Sequence, residues 1–167
     1  MFWYIIHVRH NMGESLVDCL NRNSHLKAFI PKIEKWYSAS HIRNYLIQDL
    51  YSDYVFIKTS LNKEEFYKTY KDFLLSIDSI ANMVDHDEVY ALNNEEQLLM
   101  EKLFNQKSVI EHSIGNIVNS QLIVESGPLM NLEDKVIKID RHKRTATLKN
   151  SFFNETFKVP LEVISKT

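Results

Sequence analysis

The run Ile139-Asp140-Arg141-His142-Lys143-Arg144-Thr145-Ala146 carries the clearest chemistry in this 167-residue chain. Two strand-forming stretches flank a tip that would hold Arg141, Lys143 and Arg144 together, with His142 adding a donor and a stacking ring. Three cations on an exposed turn, with Lys138 shortly before them, suit contact with phosphate and release of its counterions. A solvated hairpin would carry the same residues, because turns are commonly charged, so charge alone leaves both readings open. Arg9, His41 and Arg43 are further candidates for nucleic-acid contact, with the same solvated alternative.

Other constellations promise less. His7-x-x-His10 could suggest a metal pair, but on a strand leading into a loop the rings would not converge, and nothing nearby supplies further ligands. Asp85-His86-Asp87 reads as a solvated turn. Cys19 lacks a base partner and reads as a small apolar residue on a helix. There is no Gly-rich phosphate loop and no Gly-x-Ser-x-Gly elbow. No catalytic residue, metal or cofactor is therefore expected, and the chain does not read as an enzyme.

Composition sets the frame for these residues. A hydrophobic content of 44% and a charged content of 25% describe an ordinary globular chain. No apolar run approaches the roughly 18–20 residues of a membrane helix, and the start lacks a signal-peptide pattern. One cysteine cannot close an internal disulfide, so a cytoplasmic location is expected, with no membrane partner. The net charge of −2 excludes the whole molecule as a simple electrostatic nucleic-acid binder. Its distribution matters more: residues 1–112 carry 12 Lys+Arg against 16 Asp+Glu, and residues 113–167 carry 8 against 6. Any nucleic-acid contact must then use local basic faces.

The elements that would position these residues follow from periodicity. Phe2 to Val8 is apolar and too short for a buried helix, which predicts a central strand. Asn11, with Glu14 three residues on, predicts a capped helix whose stripe is Leu16, Val17 and Leu20. A second strand is expected from Ala28 through Pro31 to Trp36-Tyr37, a turn at Ser38 to His41, and a return arm from Arg43 to Leu50. Tyr54 to Ile57 reads as a strand buried on both faces. Asn62 and Glu65 cap a helix with Phe66, Tyr70, Phe73, Leu74 and Ile77 at helical spacing, and a third helix follows Asn94. Helices packed on a small mixed or antiparallel sheet make an α+β sandwich.

Residues 106–112 are polar without a sustained period and are expected as a linker between a domain of residues 1–105 and one of residues 113–167. The second domain switches to period two, with strands at Lys135 to Ile139, Thr145 to Leu148 and Glu155 to Leu161. Pro160 argues for an edge or a strand end. Gly115 and Gly127-Pro128 supply the backbone angles and the preset turn that a small, tightly turned barrel needs.

Gly115-Asn116, the Gly127-Pro128 turn and the strands around them resemble a KOW motif. Asn116 stands where that motif has aspartate, and Asp134 where it has a later glycine, a residue tolerant of left-handed backbone. Trp3-Tyr4-Ile5-Ile6-His7-Val8 is similar to the first strand of the NusG N-terminal domain. Together they identify a member of the NusG family, spread over nearly all of the chain, and the basic hairpin resembles that of LoaP-type antitermination paralogues. The resemblance implies an NGN-type α/β sandwich followed by an all-β SH3-like KOW barrel, in a monomer.

The resemblance also implies partners. In the family an apolar concave surface docks the clamp helices of RNA polymerase; the positions here are Trp3, Tyr4, Phe29, Pro31, Trp36, Tyr54 and Phe56, with Trp36 and Tyr37 expected as the exposed anchors. Phe152-Phe153-Asn154 matches the Ile-Phe-Gly loop that binds a ribosomal protein or the Rho terminator. Nascent RNA or non-template DNA is a further implied partner. The Asn-Thr pair that some members use on DNA would fall near Ser76-Ile77 and is missing, as is a threonine-rich motif on the 38–44 hairpin. These features imply an operon-specific antitermination factor; a housekeeping NusG, or a KOW RNA-binding protein that does not act on polymerase, stays open. A barrel is expected over a helical, fold-switching C-terminal region, because the segments 117–124 and 136–139 are rich in β-branched residues.

Overall fold

The computed structural model describes residues 1–76, 89–152 and 155–167. The chain divides into two compact units: Met1–Pro31 with Asp49–Leu99, and Lys32–Gln48 with Met100–Thr167. In chain order the elements begin with β1 (Phe2–His7), α1 (Gly13–Leu20) and β2 (Leu26–Phe29). β3 (Lys32–Ala39) and β4 (Ile42–Asp49) then belong almost wholly to the second unit. The chain continues as β5 (Tyr54–Thr59), α2 (Lys63–Leu75), β6 (Val89–Ala91) and α3 (Asn94–Leu103).

The first unit is built on a four-stranded sheet in the order β2-β5-β1-β6. β1 runs antiparallel to both neighbours and is central, as its apolar run predicts. Pleating sends Tyr4, Ile6 and Val8 to one face, where they pack with Val55 and Ile57 against Leu16, Leu20, Phe66, Tyr70 and Leu74 of the first two helices. The alternate residues Trp3, Ile5, Phe29 and Phe56 are buried too. A strand buried on both faces needs apolar residues at every position, which is why β1 and β5 show no alternation.

Two local expectations need correction. Asn11 does not cap α1: its backbone is left-handed at φ 62, and the cap position is Met12, without a side-chain hydrogen bond. The expected strand from Ala28 to Tyr37 is broken at Ile30-Pro31, where the missing proline N–H cannot continue a ladder. The capping box of Asn62 and Glu65 is present on α2. α3 carries the same box one residue earlier than Asn94, since the Glu96 N–H donates to the Asn93 side chain and Glu96 accepts from the Asn93 N–H.

In the second unit β3 lies between β4 and β7 (Val109–Ile110), with Lys32 opposite Val109 in a parallel pair. The segment expected as a linker thus holds a strand, too short to show any period in sequence. β8 (Ser113–Val118), β9 (Gln121–Ser126), β10 (Val136–Asp140), β11 (Thr145–Phe152) and β12 (Glu155–Lys166) form a five-stranded sheet ordered β10-β11-β12-β8-β9. Gly127 is left-handed at φ 99, and a Cβ there would sit 2.5 Å from the Ser113 Cα. Asp134 lies instead in a 3₁₀ turn, Glu133–Lys135, and the left-handed backbone falls on Asn131 at φ 62. Pro160 is inside the central strand β12, not at an edge. Its ladder with β11 ends there, and Leu161 opens the pairing with β8, so no ladder bond is lost.

Candidate nucleic-acid interface

The β10–β11 connection is folded by its own residues. The Lys143 N–H donates to the Asp140 Oδ1 at 2.9 Å, and that same hydrogen bond holds the Asp140 carboxyl below the usual carboxylate range. Arg144 takes a left-handed backbone at φ 51, and its carbonyl accepts the Leu161 N–H at 2.9 Å. The tip is thereby fixed against β12, and its side chains project from a defined base.

They line a groove of about 970 Å³, together with residues of the β3–β4 hairpin and of β11 and β12. Among the described residues seven cations line it, Lys35, Arg43, Lys138, Arg141, Lys143, Arg144 and Lys158, against the carboxylate of Asp140. Six of the eight residues expected from sequence to meet nucleic acid are gathered here: Arg43, Lys138, Arg141, His142, Lys143 and Arg144. Arg9 belongs to the first unit and His41 to the hairpin turn; both are exposed and neither lines the groove.

Arg144 differs from its neighbours. Its guanidinium lies 3.6 Å above the Trp36 ring, and its Nη1 is 2.7 Å from the Glu162 Oε1. Trp36 leans on Tyr45 with ring centroids 5.2 Å apart. Tyr45 in turn stacks on His112, with centroids 4.0 Å apart and planes 3° from parallel. The Glu34 carboxylate closes the series, accepting the His112 backbone N–H at 2.7 Å and meeting the His112 Nδ1 at 2.6 Å. Burial raises the Tyr45 phenol pKa, and the Arg144 guanidinium opposes that shift. Glu34, Tyr45, His112 and Glu162 have no signal in the sequence, because their partners come from segments tens of residues away.

The residues placed by resemblance on a polymerase-facing surface are mostly covered. Trp3, Tyr4, Phe29 and Phe56 are core residues, and Pro31 is buried. Lys58 sits 4.1 Å above Trp3. Tyr54 is half-buried and tilts against His7 at 5.0 Å. Of the two expected anchors, Tyr37 is 46% exposed, whereas Trp36 is half-buried beneath Arg144. A ring at a hairpin end became a contact within the unit once a guanidinium was within reach.

Of the two histidines of the His7-x-x-His10 run, His10 faces Asp53 at 3.4 Å, and His7 meets Tyr54. Among the described residues no three of His, Cys, Asp and Glu group as a metal site, and no helix is long and apolar enough to cross a membrane. Phe152 ends β11 opposite Glu155. Phe153, Asn154, Ile77 and Asp85-His86-Asp87 lie outside the described residues.

Fold and groove together define a two-unit α+β protein with an open, positively charged surface groove. Residues 1–104 match the family model of the transcription termination factor nusG. The chain belongs to the NusG family, and it is accordingly a NusG-type transcription factor acting on elongation, with RNA polymerase the partner that membership suggests. No curated protein matches the chain.

Proposed function

We propose that this protein binds RNA polymerase through an N-terminal NGN-like domain, residues 1–105, and suppresses pausing and termination on particular operons. By bridging the clamp it would favour the closed state around the nucleic acids, and pausing and termination, which need that clamp to loosen, would fall by mass action. Residues 113–167 would act as an SH3-like KOW barrel that recruits nascent RNA or a protein partner. The factor works by binding, without catalysis. The observation that carries the specialised reading is the groove in which, among the described residues, seven cations face the Asp140 carboxylate; family membership supports polymerase as the target.

Single-round transcription through an intrinsic terminator tests this, comparing wild type with Tyr54→Ala and with Arg141→Ala. Tyr54 is half-buried on the first unit, so truncating it trims a candidate docking surface, and a melting curve checks that the fold survives. Read-through is expected with wild type, reduced several-fold in Tyr54→Ala together with polymerase binding. Arg141→Ala should keep polymerase binding and lose read-through on templates whose nascent RNA is needed. A protein that binds RNA and never polymerase would instead be a KOW RNA-binding factor.

A further inference from the structure

β4 stands at the end of its sheet. In the order β4-β3-β7 it is bonded to β3, and among the described residues no strand lies along its other edge. Every residue from Ile42 to Asp49 is exposed except Tyr45, which is half-buried. Three of the exposed side chains are large and apolar: Ile42 at 54%, Leu46 at 47% and Ile47 at 60% exposure. An edge of this kind is a template for another strand, and edges meant to stay alone are commonly blunted by proline or lysine. β4 contains neither.

The strand itself shows which of its backbone groups point outward. The Tyr45 N–H donates to the Asn44 Oδ1 at 2.8 Å, a side chain of its own strand, where a ladder donor would meet a carbonyl of β3. Outward-facing N–H and C=O groups alternate along a strand, so those of Arg43, Ile47 and Asp49 share the edge with Tyr45. In an antiparallel pair, outward residues must stand opposite outward residues. Two copies of β4 can therefore pair only with odd positions against odd. The register that sets Leu46 against its own copy satisfies this rule. It also sets Arg43 opposite Asp49, Asn44 opposite Gln48 and Tyr45 opposite Ile47, each twice. Opposite charges then meet at both ends, amides pair inside them and apolar side chains fill the centre. A shift of two residues either way parts Arg43 from Asp49. Asp49 also interacts within its own chain, and a carboxylate accepts several donors at once.

We infer that the outer edge of β4 binds the same edge of a second copy of this chain, as an antiparallel strand pair with Leu46 on the two-fold axis. The contact is isologous, so it closes at two copies and covers the edge of both. On pairing, a carbonyl of the second copy replaces Asn44 as acceptor for the Tyr45 N–H. One strand pair is a small interface, which sets a transient dimer with a dissociation constant of roughly 10–100 µM.

Sedimentation velocity of the full chain across that concentration range tests the association, with a melting curve for each variant. The average mass is expected to rise from monomer toward dimer. Leu46→Lys, which places like charges face to face on the axis, should abolish the rise. Arg43→Asp and Asp49→Arg should each weaken the dimer by about 5-fold or more, and the two together should restore it, because the charges are exchanged and the register is kept. Disulfide trapping reads the register directly, in a Cys19→Ser background. Leu46→Cys should cross-link readily on oxidation, since residues facing each other in a non-hydrogen-bonded pair lie about 4.5 Å apart at Cα, within disulfide reach. Ile42→Cys, as exposed but far from its own copy in this register, should not. A monomer at every concentration would overturn the proposal. A dimer indifferent to Leu46→Lys, a double charge swap that fails to restore association, or equal cross-linking at positions 42 and 46 would overturn it as well. Polymerase binding in the transcription assay is read separately and does not depend on the result.

Discussion

Arg144 shows how one side chain's role is decided by what reaches it. In a basic tip it reads as one of three equivalent phosphate contacts; in the fold it is the cation whose planar face and fork are both engaged. A lysine in that place would keep the charge and lose the geometry. Tyr90 makes a comparable point in the first unit. Its hydroxyl donates to the Glu96 Oε1 at 2.7 Å. That hydrogen bond, aided by burial and the carboxylate's charge, pushes the phenol pKa up to about 12. The phenol is held protonated in the fold, so its contribution to stability is complete below the ordinary value of 10.0 and is lost as pH climbs through about 12. Absorbance titration at alkaline pH should therefore show a late tyrosinate step near 12 that is missing in Tyr90→Phe. In Glu96→Gln that step should move toward lower pH. An unchanged curve in both variants would contradict the assignment.

Caps and turns separate the elements that local chemistry specifies from those it does not. The Asn62 box works because the side chain accepts from the Glu65 N–H at 3.0 Å while Glu65 accepts from the Asn62 N–H at 2.9 Å. Asn11 offers the same letters and fails, because the chain passes it in a left-handed conformation before α1 begins. Asn62→Ala should cost about 1 kcal/mol, read as a lowered urea midpoint, while Asn11→Gly should cost nothing measurable. Gly127→Ala is expected to be far worse, about 2 kcal/mol or more, since both its φ of 99 and the Ser113 backbone 2.5 Å from the added Cβ oppose it. If Gly127→Ala melted like wild type, the turn geometry assigned here would be wrong.

At the scale of the molecule, the compact units do not follow chain order. Residues 32–48 leave the first unit, pair with Val109 and Ile110, and lie with the C-terminal sheet. The contacts that hold them there are few and specific, so removing one should have a regional effect. Hydrogen exchange in Trp36→Ala should show faster exchange across β3 and β4. The β1–β5 ladder, whose core includes Tyr4, Val55 and Phe66, should keep its protection. Uniform acceleration over the whole chain would mean that the hairpin is not a separable part of the second unit.

Sequence alone determined what depends on near neighbours. The buried strands β1 and β5, the amphipathic α1 and α2, the Asn62 box, the Gly127-Pro128 turn and the basic tip are each written in a few adjacent residues, because periodicity, capping and turn angles act over one or two turns of chain. The resemblance to the NusG family was legible for the same reason, through a strand and a turn of recognisable composition. Tertiary structure alone decided which charges and rings meet. Trp36 and Arg144 are separated by more than a hundred residues, and Tyr45 stacks on His112 from a distant part of the chain. Nothing in a one-dimensional pattern states that a guanidinium will cover a hairpin tryptophan, because that outcome depends on closing long loops and on burial competing with hydration. Gathering Lys35 and Arg43 beside Lys158 is a consequence of those closures, and so the groove belongs to the fold.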